Sequence, residues 1–164
     1  MSAAIRILGI DPGLNATGWG IVSHQGARLS WVAHGVIKAP TKAAMSERLK
    51  FIYEGVDSLI NEFKPDEAAV EDQFVHANPG SALKLGQARA AAMLAPARAD
   101  LPVGEYAPRL IKKSVVGTGG AEKSQIAAMI SILLPGTKAK DDVADALAIA
   151  ICHAHHRNTV KAAS

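Results

Sequence analysis

Ile5-Arg6-Ile7-Leu8-Gly9-Ile10-Asp11-Pro12-Gly13 is a short apolar run that delivers a single carboxylate to a sharp turn. Such a run suits a buried strand, and Asp-Pro-Gly supplies the residues that end one. Working outward, strands are predicted at about 4–11, 17–23 and 29–38, with Gly13-Leu14-Asn15 and His24-Gln25-Gly26 as turns between them. Leu49, Ile52, Val56, Leu59 and Phe63 then recur at helical spacing, and Pro65-Asp66 stops that helix. Ala68–Glu71 reads as a short strand. Asn78-Pro79 starts a helix, Asn as cap and Pro in the first turn, and this Ala-rich helix should end or kink near Pro96. Val103–Tyr106 is the last strand. Ile126, Met129, Ile130, Leu133 and Leu134 form an apolar stripe closed by Pro135-Gly136, and a final helix runs from about Asp141 to His156. Three strands followed by alternating helix and strand predict an α/β fold, a mixed sheet with helices on its faces.

The chain has 164 residues, 49% of them apolar and 20% charged, which suits one globular domain spanning 1–164. No apolar run approaches the ~20 residues of a membrane helix, so no membrane is expected. Arg6 interrupts the first apolar stretch, which excludes a signal peptide. A single cysteine, Cys152, excludes an internal disulfide and suits a cytoplasmic protein; within a helix it reads as a small buried apolar residue. A net charge of +3 permits a polyanionic partner without requiring one.

Three more acids stand in places as unusual as that of Asp11. Glu71 ends Ala68-Ala69-Val70-Glu71, and Asp142 and Asp145 open the almost wholly apolar Val143–Ala150 stretch. Taken singly, most have ordinary explanations. Asp-Pro-Gly is a turn signature, Asp141 suits a helix N-cap, and Asp142 complements the helix dipole by ~0.3–1 kcal/mol. Asp145 resists such a reading, because it lies among small apolar residues three positions from Asp142, on one helix face. Glu71 resists it too, although strand alternation sends Glu71 and Asp72 to opposite sides and leaves open which faces a site. Glu71 is assigned to the site and Asp72 to its outside. If the four acids converge, two like charges ~4 Å apart repel by ~4 kcal/mol at an effective dielectric near 20. They then take up protons or bind cations. An all-oxygen site favours Mg²⁺ or Mn²⁺ over zinc, and two such ions are the standard apparatus for in-line phosphodiester hydrolysis by activated water.

Gly9-Ile10-Asp11-Pro12-Gly13, Val70-Glu71, Ser81-Ala82-Leu83-Lys84-Leu85-Gly86-Gln87-Ala88-Arg89, Ala121-Glu122-Lys123-Ser124-Gln125 and Asp142–Ala150 together resemble the RuvC family of bacterial Holliday junction resolvases. The resemblance covers about residues 5–155, in order and spacing. It implies a ribonuclease H-like fold, a central mixed five-stranded sheet flanked by helices, and a homodimer that makes paired nicks across a four-way DNA junction. It also implies Asp11, Glu71, Asp142 and Asp145 as catalytic carboxylates and ligands for two Mg²⁺ ions, with Mn²⁺ as a substitute. Lys112 and Lys123 become basic catalytic residues and Phe74 a base-contacting aromatic. Lys84, Arg89 and Lys113 are the remaining residues assigned to DNA. The implied partners are a junction-binding protein and its branch-migration motor, of the RuvA and RuvB type. Three departures stand out: Asp72 follows Glu71, Pro96 interrupts the long helix, and the chain stops soon after the last helix, leaving no basic extension to hold DNA.

Other signals weigh less. Gly117-Thr118-Gly119-Gly120-Ala121-Glu122-Lys123-Ser124 superficially resembles a phosphate-binding loop but carries Glu122 where that motif needs glycine. It reads instead as a Gly-rich loop beside Lys112, Lys113 and Lys123, whose charges suit phosphate contacts. Phe74 alone would be a core anchor; three residues after Glu71 it suits base stacking. Trp19 and Trp31, on strands, are assigned to the core. His153 and His156 lie about 12 and 16 Å along a helix from Asp145, too far to share its ion, and with His155 they read as a solvated helix end. Gly-Ile-Asp-Pro-Gly also resembles the first phosphate hairpin of actin-like ATPases, but the second lobe and second hairpin those proteins need are missing. A non-catalytic junction-binding module would not need the complete acid set.

Overall fold

The computed structural model describes residues 2–72 and 78–163. Its centre is a five-stranded sheet in the order β3-β2-β1-β4-β5, where β1 is Ile5–Asp11, β2 Ala16–Gln25, β3 Arg28–Lys38, β4 Glu67–Glu71 and β5 Val103–Tyr106. The first three strands form an antiparallel meander, whereas β4 pairs parallel to β1 and β5 parallel to β4. Five helices accompany the sheet among the described residues: α1 (Met45–Phe63), α2 (Pro79–Arg98), α3 (Pro108–Val116), α4 (Lys123–Leu133) and α5 (Asp141–Ala163).

Side-chain alternation along the strands divides the core in two. Leu8, Ile10, Ile21, Ala68 and Val70 pack against Ile52, Val56 and Ile60 of α1 and Ala88, Ala92 and Ala95 of α2. Ile7, Val22, Ala69 and Tyr106 face the other way, onto Ile111 of α3, Ile130 of α4 and Leu147 and Ile151 of α5. Asp11 shares its parity with Ile7, and Glu71 with Ala69, so both carboxylates emerge on the α5 side. Asp72 takes the opposite parity. The choice left open by alternation alone is thus made by the packing of Val70 against α1 and α2.

The apolar body of α5 lies directly on β1 and β2. A Cβ added at Gly18 would stand 2.3 Å from the Asp142 carbonyl oxygen, and one at Gly9 2.1 Å from that of Ala146. Only glycine allows that approach.

Several expectations need correction. α3 was not anticipated, and α5 continues to Ala163 rather than stopping near His156. The expected end of α2 near Pro96 holds: Pro96 lies in its last turn, two residues before Arg98. Trp31 is 40% exposed on the edge strand β3, its ring against His34, and does not join the core. Trp19 does, half-buried beside Phe63. The side chain of Asp141, and with it the expected N-cap, lies outside the described residues.

Candidate active site

Asp11 is the last residue of β1, where the chain leaves the sheet. The buried Thr17 hydroxyl fixes the following turn, donating to the Gly13 carbonyl at 3.0 Å and accepting from the Gly13 amide at 3.3 Å. Asp142 and Asp145 occupy the opening turns of α5, which Gly9 and Gly18 bring down onto β1 and β2. One carboxylate oxygen from each of Asp11, Asp142 and Asp145 falls within 4.8 Å of the others. Glu71, at the end of the neighbouring β4, lines the same cavity of about 710 Å³. Lys112 of α3 and Lys123 at the start of α4 line it too, and Lys123 Nζ lies 3.8 Å from Asp145 Oδ2. Carboxylates thus form the floor and lysines part of the rim.

The electrostatics follow from this crowding. Burial, then the charges of Asp145, Asp142 and Glu71, push the Asp11 carboxyl up to about 8, and Lys123 opposes them only in part. In the absence of a cation, Asp11 holds a proton at neutral pH. Among the described residues, the titratable groups lining the cavity are five acids (Asp11, Glu71, Glu122, Asp142 and Asp145) and two lysines, with no thiolate or imidazole. Such a donor set fits a hard divalent cation and suits neither zinc nor copper.

The remaining sequence-predicted residues fall in different places. Lys113 is exposed and does not line the cavity, and Lys84 is exposed on α2. Arg89 is engaged within the protein: its Nε donates to the Glu71 carbonyl oxygen at 3.2 Å, and its Nη2 pairs with Glu105 and lies 3.9 Å from Asp72. Asp72 is therefore held outside the cavity, by Arg89. Phe74 lies outside the described residues. Glu122 caps α4, its side chain accepting from the Gln125 amide while the Gln125 side chain accepts from the Glu122 amide at 2.8 Å. Its carboxylate serves the helix end.

The histidines correct the reading of a solvated helix end. His153 is 3% exposed, and His156 is half-buried with Nε2 3.2 Å from Ser114 Oγ; of the three only His155 is exposed. A distance along the helix could exclude them as ligands but carried no information about burial. Glu67 was overlooked, although its sequence signal was available: it opens an apolar strand with the same parity as Glu71. Cys152 is buried as expected, and that burial pushes its thiol up to about 11.

Comparison with known proteins converges on one family. The family model described as crossover junction endodeoxyribonuclease RuvC matches residues 7–153. A protein of that description from Maricaulis maris strain MCS10 is 63% identical over 164 residues, covering 100% of this chain and 99% of its own. Another, from Paramagnetospirillum magneticum, is 57% identical over 156 residues, 94% of each chain. Among solved structures, T. thermophilus RuvC in complex with Holliday junction substrate superposes with a TM-score of 0.88 at 33% identity, over 95% of this chain and 96% of that one. The yeast mitochondrial Holliday junction resolvase Ydc2 superposes at 0.68 with 16% identity, over 96% of this chain and 84% of its own, a likeness of fold alone. The mixed five-stranded sheet flanked by helices is ribonuclease H-like, as the resemblance implied.

Proposed function

The chain belongs to the RuvC family of crossover junction endodeoxyribonucleases, and from that membership we propose that it resolves four-way DNA junctions by paired symmetric nicks, with metal-activated water as the nucleophile. The observation that carries the chemistry is the convergence of Asp11, Asp142 and Asp145 within 4.8 Å, in a cavity that Glu71 also lines. These four acids are the residues that would hold two Mg²⁺ ions, or Mn²⁺ in their place. Bound there, the ions would supply an activated water and charge stabilisation for the leaving oxygen of the phosphodiester. The protein's own groups do the rest. Lys112 and Lys123 hold the scissile phosphate against the acids, with Lys113 and Lys84 further along the DNA backbone. Phe74, three residues beyond Glu71 in sequence, is the aromatic assigned to stack on an unstacked base near the scissile phosphate.

A four-way junction has two symmetric strands to cut, so the active form is a homodimer presenting two equivalent sites. It acts with a junction-binding protein and its ring motor, of the RuvA and RuvB type. The experiment is a nicking assay on a four-way junction beside linear duplex of the same sequence, with and without Mg²⁺. Paired nicks on the junction alone, dependent on the cation, are expected. Equal cutting of linear duplex would defeat junction selectivity, and cutting unaffected by chelator would defeat the cation chemistry.

A further inference from the structure

A buried polar network joins α5 to the start of β4, away from the acids, and Tyr106 at the end of β5 reaches back over Gly104 to meet it. His153 Nε2 lies 2.7 Å from Glu67 Oε2, and His153 Nδ1 lies 2.6 Å from the Tyr106 hydroxyl. One turn further along α5, Arg157 grips both oxygens of the same carboxylate, Nε to Oε2 at 2.9 Å and Nη2 to Oε1 at 2.7 Å. Glu67 and His153 are each 3% exposed. Space is kept for the imidazole by Gly104, where an added Cβ would stand 2.7 Å from His153 Nδ1.

Proton roles are consistent throughout. Burial, then the nearby Cys152 and Glu67, push the Tyr106 phenol up to about 12, so it keeps its proton and donates to His153 Nδ1. With Nδ1 accepting from the phenol, the imidazole carries its proton on Nε2, 2.7 Å from Glu67 Oε2. Glu67 thereby accepts from one imidazole and one guanidinium, an arrangement that satisfies a buried carboxylate.

The position of this network is its second property. His153 follows Asp145 by eight residues, about 12 Å of helix. Glu67 precedes Glu71 by four residues, about 13 Å of strand. The two spacings match: the network joins α5 to β4 at one level, and about the same distance along each element their acids line one cavity. Between the two levels Ala146 and Ala150 lie against Gly9 and Leu147 against Gly20, apolar packing whose non-directional attraction does not by itself fix an axial register against sliding. Hydrogen bonds of fixed geometry do resist it.

We infer that His153 is a positioning residue of the nuclease: with Glu67, Tyr106 and Arg157 it fixes the axial register of α5 on the sheet, and so holds Asp142 and Asp145 in place to share cations with Asp11 and Glu71. This rests on the reading of those acids as a cation site.

The test measures Mn²⁺ binding to the DNA-free protein by electron paramagnetic resonance, beside thermal melting and the Mg²⁺ dependence of junction nicking. His153→Leu is expected to weaken Mn²⁺ at least tenfold and to raise the half-saturating Mg²⁺ for nicking, with most of the maximal rate recovered at high Mg²⁺. His153→Gln, whose amide still donates toward Glu67, should recover most of the affinity. Tyr106→Phe, which removes one hydroxyl and keeps the ring, should weaken Mn²⁺ about threefold and decides the matter if His153→Leu does not fold. Mn²⁺ affinity within twofold of the unaltered protein in folded His153→Leu, or in Tyr106→Phe where the leucine variant is unfolded, would overturn the inference, however far the melting temperature falls. Failure of the unaltered protein to bind Mn²⁺ would instead remove the cation site itself, and this inference with it.

Discussion

Asp11 pays for its position in stability. Its ordinary carboxyl value is 3.8 and its folded value about 8, so folding without a cation takes up a proton between those limits. Asp11 therefore does not oppose folding below the lower value, opposes it increasingly as the pH rises through the window, and opposes it fully above about 8. Allowing for solvent in an open cavity, the effect is about 1–3 kcal/mol. Asp11→Asn should raise the melting temperature of the metal-free protein at pH 8.5, by about 2–4 °C per kcal/mol, and lose that advantage near pH 4. Equal melting at pH 8.5 would show that burial and the neighbouring acids do not destabilise the Asp11 carboxylate. The same variant, like Glu71→Gln and Asp145→Asn, should abolish nicking while junction binding in a gel-shift assay survives, because phosphate affinity comes from the basic residues. Asp72→Asn should keep substantial activity, and its inactivity beside an active Glu71→Gln would reverse the assignment of these two residues. Phe74→Ala should cut junction nicking strongly and leave fold and Mn²⁺ binding intact, since stacking on an aromatic face is worth about 1–3 kcal/mol per base. A destabilised but fully active Phe74→Ala would make it a core anchor. The acids were legible in the sequence because charge is costly where they stand. Arg89 was not: nothing in a single chain says that its guanidinium meets Glu105 and the Glu71 carbonyl.

Element placement depends on the two glycines under α5. At Gly18 the atom a Cβ would strike belongs to the backbone of Asp142, so the helix itself must move. A displacement of about 1 Å at a reacting centre can cost about 100-fold in rate. Gly18→Ala should therefore reduce nicking by about that factor while circular dichroism still shows the mixed helix and strand content. Near-normal nicking by folded Gly18→Ala would mean that α5 does not set the position of Asp142. The strands were readable because period-two alternation and turn residues agree, and α1 because its stripe spans several turns. α3 escaped because a nine-residue helix with only Ile111 and Val115 buried gives too short a pattern to recognise. The far end of α5 escaped because its apolar signal stops at Ala154, while Arg157 holds the next turn through a carboxylate distant in sequence.

At the scale of the whole molecule, one surface looks unfinished. Ala88 and Ala92 of α2 are buried within the chain's own core and cannot serve a partner. The opposite side of α2 carries Leu83, 65% exposed, and Leu94, 52% exposed, with Phe51 of α1 also exposed. Between the two helices lies a groove of about 510 Å³ lined by Leu49, Tyr53, Ala91 and Leu94, and almost nothing about it is charged except Lys50. Exposed apolar surface of this kind is costly to leave in water and suits burial against an equivalent helix pair in a two-fold dimer. Leu94→Glu places a charge on that surface at a side chain that is already 52% exposed. It should shift the protein from dimer to monomer in light scattering with little change in melting temperature at low concentration. Its effect on the reaction should be specific: junction nicks become independent, so a singly nicked intermediate accumulates where the unaltered protein gives paired cuts. A wild-type protein that remains monomeric at working concentration, or a Leu94→Glu dimer that still cuts in pairs, would remove α1 and α2 as the dimer surface.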